Sequence, residues 1–126
     1  MKELTQAEEQ IMEYLWQIEK GFVRDIREKF PEPRPAYNTV STIVRILEKK
    51  GVVGHQSYGK SHQYYPLVSK SEYKRRRFRD VLKKHFSNSY RSFASFFTRD
   101  EDVSLTDLEE MQRMIDEEIQ KRKGEK

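Results

Sequence analysis

The stretch RPAYNTVSTIVRILEKKG, which runs from Arg34 to Gly51, determines how the N-terminal half of this chain folds. Its apolar residues recur at the i, i+3, i+4 and i+7 positions that lie on one face of an α-helix. A glycine and two lysines at its end are typical of a helix C-terminus, because cations interact favourably with the helix dipole and glycine adopts the cap conformation. The sequence therefore predicts an α-helix to about Lys50, with a buried face made of Val40, Ile43, Val44 and Leu47.

The opposite face of this predicted helix carries short, hydrogen-bonding side chains and one cation. A solvated surface helix usually pairs glutamate with lysine at i, i+4, whereas Glu48 is the single acidic residue between Arg34 and Glu72. Short polar side chains let a helix enter the major groove of DNA, where asparagine can pair with adenine and arginine with guanine. The sequence leaves open whether Tyr37 contacts a phosphate or packs against the preceding helix. We predict a recognition helix, with DNA contacts from Tyr37, Asn38, Thr39, Ser41, Thr42, Arg45 and Lys49.

Two shorter helices are predicted before the recognition helix. Thr5-Gln6-Ala7-Glu8 has the T-x-x-E pattern of a capping box, so the first helix starts at Thr5, and Gly21 is expected to end it. The second helix runs from about Val23 to Phe30. The proline-rich segment 31–35 ends it and predicts a stiff loop, because proline cannot continue a helix.

A β-hairpin is predicted after the recognition helix. Residues 52–68 are rich in β-branched and aromatic residues, with Gly59-Lys60 as the turn and Pro66 near the end of an outer strand. Three helices followed by a hairpin indicate a mainly α fold with a winged helix-turn-helix domain, rather than a generic small α+β domain. His55 and Gln56 fit an ordinary surface hairpin. We predict that the wing tip contacts DNA through Tyr58, Lys60, Ser61 and His62.

Charge is concentrated in the middle of the 126-residue chain. The net charge is +4, but residues 1–33 carry −3, residues 34–91 carry +11 and residues 92–126 carry −4. A basic middle between acidic ends favours a polyanionic partner. The same net charges would also arise if the basic residues only formed the solvent-exposed face of a helix. Charged residues make up 37% of the chain, against about 25% in typical domains, so a small core is expected.

Several classes of function find no support in the sequence. The absence of cysteine excludes disulfides and thiolate metal sites, and His55, His62 and His85 without an acidic cluster make a poor metal set. We find no nucleophile–base pair, glycine-rich phosphate loop or paired carboxylates, so neither an enzyme nor a cofactor is predicted. With no signal-peptide core and no apolar run near the ~20 residues of a membrane span, we expect a soluble cytoplasmic protein without membrane insertion.

From about Ser71 the chain is predicted to be helical again and to form a homodimer. Ser87-Asn88-Ser89 interrupts these helices, and Thr106-Asp107-Leu108-Glu109 has the capping-box pattern that would open the last one. The apolar surface here exceeds what two short helices can bury, which favours self-association over packing back onto the N-terminal domain. We predict a DNA-binding domain at 1–70 and a helical dimerisation region at 71–126. The predicted interface residues are Leu82, Phe86, Tyr90, Phe93, Phe96, Phe97, Leu108, Met111, Ile115 and Ile119.

Three blocks of the sequence, taken together, resemble one bacterial family. They are LTQAEEQIMEYLW (Leu4 to Trp16), NTVSTIVRILEKKG (Asn38 to Gly51) and YYPLVSKSEY (Tyr64 to Tyr73). With them the chain resembles the penicillinase-repressor family, the BlaI/MecI/CopY group, from about Leu4 to Ile119. The first block alone is a weak signal, whereas the three in this order are specific.

The resemblance implies a dimeric winged-helix repressor that binds a pseudo-palindromic operator upstream of its own operon. It implies that Thr39, Val40, Ser41 and Thr42 occupy the family's recognition-helix positions, and that the C-terminal helices intertwine in the dimer. In the antibiotic-responsive branch, a membrane zinc metalloprotease sensor triggers cleavage at an Asn-Phe bond. The corresponding bond here is Phe96–Phe97, with phenylalanine in place of asparagine. The copper-responsive branch uses a cysteine pair, which this chain lacks.

These observations predict a sequence-specific repressor that binds double-stranded DNA as a homodimer. One alternative stays open, a winged-helix module that binds a protein and not DNA. The acid-poor outer face of the recognition helix disfavours that alternative, and a DNase footprint would distinguish the two.

Overall fold

The computed structural model describes residues 3–125. The first two residues of the predicted DNA-binding domain, Met1 and Lys2, and the last residue of the predicted dimerisation region, Lys126, lie outside the described residues. The fold is mainly helical with one two-stranded antiparallel sheet, which confirms the predicted fold class. The elements in chain order are α1 (Gln6–Ile18), α2 (Val23–Glu28), α3 (Tyr37–Lys49), β1 (Val53–Tyr58), β2 (Ser61–Pro66), α4 (Lys70–Phe86), α5 (Tyr90–Thr98) and α6 (Leu105–Gly124).

Helix α1 begins as predicted and ends in a different way. The Thr5 hydroxyl accepts a hydrogen bond from Glu8 N at 3.1 Å, and Thr5 N donates to the Glu8 carboxylate at 2.7 Å, which completes the capping box. The expectation that Gly21 ends the helix was wrong, because Glu19 adopts the positive φ of 70° and donates from its backbone to Leu15 O.

Gly21 instead joins the wing to the helices. Its backbone exchanges two hydrogen bonds with Tyr64 of β2, at 2.9 and 2.8 Å, as an isolated antiparallel bridge. A Cβ atom at Gly21 would lie 2.7 Å from Ile18 Cδ1 and 3.1 Å from Asp25 Cβ, so a larger residue here would require these side chains to move.

Helix α3 packs its predicted stripe into the core. Val40, Val44 and Leu47 are fully buried, and Ile43 is partly buried against the same cluster. Removing a valine or leucine side chain from water contributes about 1.5–3 kcal/mol, so this stripe fixes the rotation of α3 about its own axis. The cluster also contains Ile11, Met12 and Leu15 of α1, Ile26 of α2, and Val52 and Val53 at the start of the hairpin.

The hairpin has the predicted turn at Gly59-Lys60, and the structure gives its register. Val53 pairs with Pro66 at the open end and Tyr58 pairs with Ser61 at the tip. Gly59 in the turn has a φ of 62°, a left-handed conformation that favours glycine. Pro66 is tolerated as predicted, because it is the last residue of β2.

The Lys50 side chain bonds to the N-terminal part of the first unit. Its ammonium donates to the Glu8 carboxylate at 2.7 Å and to Glu3 O at 3.1 Å. The Glu8 side chain is only 5% exposed. Burial opposes ionisation of Glu8, but the hydrogen bonds from Lys50 and from the Thr5 backbone together hold the pKa of this carboxyl below its ordinary value of 4.5.

The first turns of α4 are attached to α1. The Tyr73 hydroxyl donates to Glu9 Oε2 at 2.6 Å, and Lys70 pairs with Glu13 at 2.8 Å. Burial and then the bond to Glu9 raise the pKa of Tyr73 far above its ordinary range. The chain accordingly forms two compact units, the first ending at Arg77 and the second beginning at Phe78.

The second unit contains α5, α6 and the C-terminal part of α4. Ser87 and Asn88 have positive φ values of 51° and 61°, so the predicted interruption is confirmed. The predicted opening of the last helix was wrong by two residues. Ser104 is its N-cap and accepts a hydrogen bond from Asp107 N at 3.0 Å, because the aspartate three residues later completes a capping box just as glutamate would.

We expect Lys50→Met to destabilise the first unit, because it leaves the buried Glu8 carboxylate without its cation. The free energy of unfolding at pH 7 should fall by about 1–3 kcal/mol, measured by urea unfolding. Lys49→Met changes the same residue type at the neighbouring, exposed position and should have little effect.

The same pair predicts a pH dependence. Because the folded carboxylate of Glu8 binds a proton less readily than the unfolded one, its contribution is complete above pH 4.5 and is lost as the pH falls through the lower, folded pKa. Unfolding curves at pH 3 should therefore show a smaller difference between Lys50→Met and the unmodified chain than curves at pH 7. An equal difference at both pH values would contradict this assignment.

Candidate nucleic-acid interface

A groove of about 590 Å³ lies between α3 and the wing. Helix α3 forms one wall, the hairpin tip and β2 form the other, and the start of α2 closes one end. The groove brings together most of the predicted DNA-contacting residues, although they are distant in sequence. Those that line it are Tyr37, Ser41, Arg45, Tyr58, Lys60, Ser61 and His62.

The groove is electrostatically one-sided. Among the described residues that line it, none is acidic, and three are basic, namely Arg24, Arg45 and Lys60. Arg24 was not among the predicted contacts. Its position in the first turn of α2 was readable from the sequence, but only the packing of α2 beside the wing brings it to the groove.

Tyr64 and Ser41 form the buried floor of the groove. Burial raises the pKa of Tyr64, the Glu48 carboxylate adds to this, and the Arg45 guanidinium opposes it, so all three groups lie close together. The expectation that Ser41 faces outward was wrong, since it is only 8% exposed. Ser41 still lines the groove although it is buried.

The other predicted residues of α3 are exposed outside the groove. Asn38, Thr39 and Thr42 lie in the first two turns, and Lys49 lies at the C-terminal end. The Thr42 hydroxyl donates to Asn38 O at 2.9 Å, so its donor is satisfied within the helix and its methyl group and acceptor lone pairs remain available. Tyr37 is 54% exposed and lines the groove, instead of being buried against α2.

The wing carries two histidines in contact with each other. The His55 and His62 rings stack with centroids 4.2 Å apart and planes within 5° of parallel. His55 also contacts the Glu48 carboxylate through Nδ1, so it is more than the ordinary surface residue that the sequence indicated. His85 lies exposed in α4. Within residues 3–125 no group of three or more His, Asp or Glu side chains is arranged to hold a metal ion.

The predicted dimerisation residues divide into one group that is buried or partly buried and another that is exposed. Leu82 is buried, and Phe93 is at the centre of an aromatic cluster, with ring centroids 5.0 Å from Phe78, 5.6 Å from Phe86 and 5.8 Å from Phe97. Leu108 and Met111 are partly buried. The remaining predicted residues are exposed, and three further exposed apolar residues of the second unit were not among the predicted interface residues. The exposed set is Tyr90, Phe96, Ile115 and Ile119, together with Val81, Leu105 and Met114.

The Phe96–Phe97 bond lies near the end of helix α5. Phe96 is 67% exposed, whereas Phe97 is partly buried and stacks on Phe93. A shallow cleft of about 530 Å³ adjoins this bond on the surface of the second unit, lined by Ser92, Ser95, Phe96, Arg99 and Asp100. In the part of the chain that the structure describes, every helix is too short or too polar to cross a membrane.

Comparisons with known proteins place the chain among bacterial regulators. The sequence model of the family described as penicillinase repressor matches residues 4–117. A protein of Mammaliicoccus sciuri named methicillin resistance regulatory protein MecI is 26% identical over 114 residues, which cover 90% of this chain and 93% of that protein. Proteins of the same name from Staphylococcus aureus strain N315 and Staphylococcus epidermidis are each 25% identical over the same shares.

Proposed function

Since the chain belongs to the penicillinase repressor family, we propose that it binds a pseudo-palindromic DNA operator sequence-specifically and as a homodimer. Its family consists of regulatory proteins and not enzymes, so the chain is a transcriptional repressor.

The acid-free groove between α3 and the wing is the observation that carries the operator proposal. Arg24, Arg45 and Lys60 come from three different elements and converge on it, while Tyr37 and Tyr58 add hydroxyl groups at its rim. Such a surface attracts a polyanion, and the field is strongest where several cations face one concavity. A partner protein with a neutral or basic surface would gain little from it.

The two sides of the groove would make different contacts with DNA. Exposed, short side chains in the first half of α3 suit contacts with base edges in the major groove. Tyr37, Lys49 and the wing suit contacts with phosphate or the minor groove, which position the protein. The exposed residues of the base-reading group are Asn38, Thr39, Thr42 and Arg45, and Ser41 of the same group lies buried in the groove floor. The wing group is Tyr58, Lys60, Ser61 and His62.

The exposed apolar side chains of the second unit support the dimer. Leu105, Met114 and Ile115 on α6 and Phe96 on α5 are well exposed, although burial of such side chains is favourable. A two-fold dimer through these helices would present two copies of α3 to sites about one DNA turn, or roughly 10 bp, apart. We propose that residues 1–70 bind DNA and that residues 71–126 form the dimer.

We further propose that the repressor acts in the cytoplasm on its own operon, which would include a membrane zinc metalloprotease sensor. The relatives from Mammaliicoccus and Staphylococcus are named regulatory proteins of methicillin resistance, which supports an antibiotic-linked signal. Inactivation would follow cleavage at Phe96–Phe97, a bond whose first side chain is exposed and whose second belongs to the aromatic cluster. Cutting there would separate α6 from the rest of the dimerisation region.

DNase footprinting on the DNA upstream of the protein's own gene tests the operator proposal. The expected result is protection of two inverted half-sites, with centres spaced by whole DNA turns. A protein-interaction module would leave this DNA unprotected, and that result would replace the operator proposal with the alternative.

Replacing Arg45 by alanine should weaken operator binding and relax selectivity at one base pair. The loss should be about 1–3 kcal/mol on the preferred base and smaller on the others, because a bidentate contact with one base would be removed. Gel shifts on a series of single-base operator variants measure this. A uniform loss across the series would show that Arg45 contacts phosphate.

Replacing Lys60 by alanine should weaken binding about equally on all sequences. The slope of log affinity against log salt should decrease by about one unit, because one phosphate contact is lost. Lys70→Ala is the matched control, since Lys70 pairs with Glu13 and does not line the groove. A change in base preference with Lys60→Ala would contradict the wing assignment.

Ile115→Asp should convert the dimer to monomers, as measured by sedimentation equilibrium. Ile115 is 58% exposed, so the substitution should not disturb the second unit itself, whereas Phe93→Asp would also break the aromatic cluster. Gln120→Asp places the same charge on another side of α6 and should leave the dimer intact. Persistence of the dimer with Ile115→Asp would exclude this part of α6 from the interface.

A further inference from the structure

The groove-facing side of the wing carries a compact array of rings. His55 pairs with Tyr64 across the hairpin, and His62 precedes Tyr64 by two residues on β2. Because side chains two apart on a strand share a face, His55 and His62 are diagonal neighbours on one side of the sheet. Their rings stack, and the Tyr64 ring lies 5.8 Å from the first and 6.1 Å from the second.

Contacts with residues outside the hairpin hold Tyr64 and His55 of this array in place. The Tyr64 backbone is bonded to Gly21, and its side chain is buried in the groove floor. On the other side, the Glu48 carboxylate at the end of α3 contacts His55 Nδ1. A continuous line of contacts therefore runs from α3 through Glu48 and His55 to His62, and His62 lines the groove.

The position of the Glu48 carboxylate beside the groove allows two roles of this residue to be distinguished by their effect on DNA affinity. It lies close to Tyr64 and Arg45, beside a groove whose described lining is free of acids. A carboxylate here repels phosphate, so Coulomb's law alone predicts that removing its charge would strengthen DNA binding. A role in holding the wing predicts the opposite sign, because a neutral side chain holds His55 less strongly than a carboxylate does, and the ring stacked on His55 would then be less well fixed.

We infer that Glu48 and His55 are positioning residues, which fix the stacked His62 ring at the groove wall for contact with the DNA backbone. The inference rests on the proposed function, since it assigns a purpose to the wing only if the groove binds DNA. Neither Glu48 nor His55 needs to contact DNA itself. Recognition helix and wing then move as one body, because the last turn of α3 holds the strand that presents His62.

Glu48→Gln is the direct test, and Glu28→Gln is its matched control. Both remove one negative charge, but the Glu28 side chain lies at the end of α2 and does not line the groove. Affinity is measured by fluorescence anisotropy on a labelled duplex that spans the footprint upstream of the gene. We expect Glu48→Gln to bind about 3- to 10-fold more weakly, and Glu28→Gln to bind equally or more tightly.

A double-mutant cycle with His62→Ala tests whether Glu48 acts through His62. We expect His62→Ala alone to weaken binding by a similar factor, and the combination with Glu48→Gln to be no weaker than His62→Ala. Additive losses would overturn the inference, and so would equal or tighter binding by Glu48→Gln. Glu48→Asp retains the charge but is one methylene shorter, and it should weaken binding as Glu48→Gln does.

Two controls distinguish a failure of the positioning role from unfolding of the variants and from a failure of the proposed DNA binding. Thermal melting by circular dichroism should show Glu48→Asp and Glu48→Gln folded at the assay temperature, since the Glu48 and His55 side chains are each about one-third exposed. If the unmodified chain fails to bind the upstream duplex, the proposed function itself is wrong. If it binds and neither Glu48 variant is weaker, only the positioning role is wrong.

Discussion

The burial of Val40, Val44 and Leu47 is the constraint on which the proposed DNA-binding surface depends. A helix has a fixed angular spacing between residues, so burying this stripe against α1 determines which side chains of α3 face outward. The same rotation leaves Arg45 exposed and places it on the groove. The packing of α3 and the face that it offers to the groove are thus two consequences of one rotation of one helix, and a change that rotated α3 would disturb both.

The wing depends on a second constraint, because a two-stranded hairpin is marginal by itself. Its β2 strand is bonded to the backbone of Gly21, and Tyr64 is buried behind the groove. At the tip, the Tyr58 ring packs edge-on against Phe22 at the start of α2, with centroids 6.0 Å apart. These contacts attach the hairpin to α2, and the Glu48–His55 contact attaches it to α3.

The acidic residues of α1 are bonded away from the groove, whose described lining contains no acidic residue. Glu8, Glu9 and Glu13 bond to Lys50, Tyr73 and Lys70, which belong to the end of α3 and the first turns of α4. The carboxylates therefore stabilise the first unit on a surface other than the groove. Three basic residues line the groove, whereas these three carboxylates bond to groups outside its described lining.

Local signals in the sequence determined most of the elements, because caps, turns and periodicity depend on residues within one or two helical turns of each other. The Thr5 capping box, the stripe of α3 and the Gly59 turn needed no distant partner. Tertiary structure alone decided that Gly21 bridges to Tyr64, that Ser41 is buried, that Arg24 reaches the groove and that His55 contacts Glu48. Each of these depends on which elements lie side by side, and no local pattern encodes that, because packing joins residues far apart in the chain.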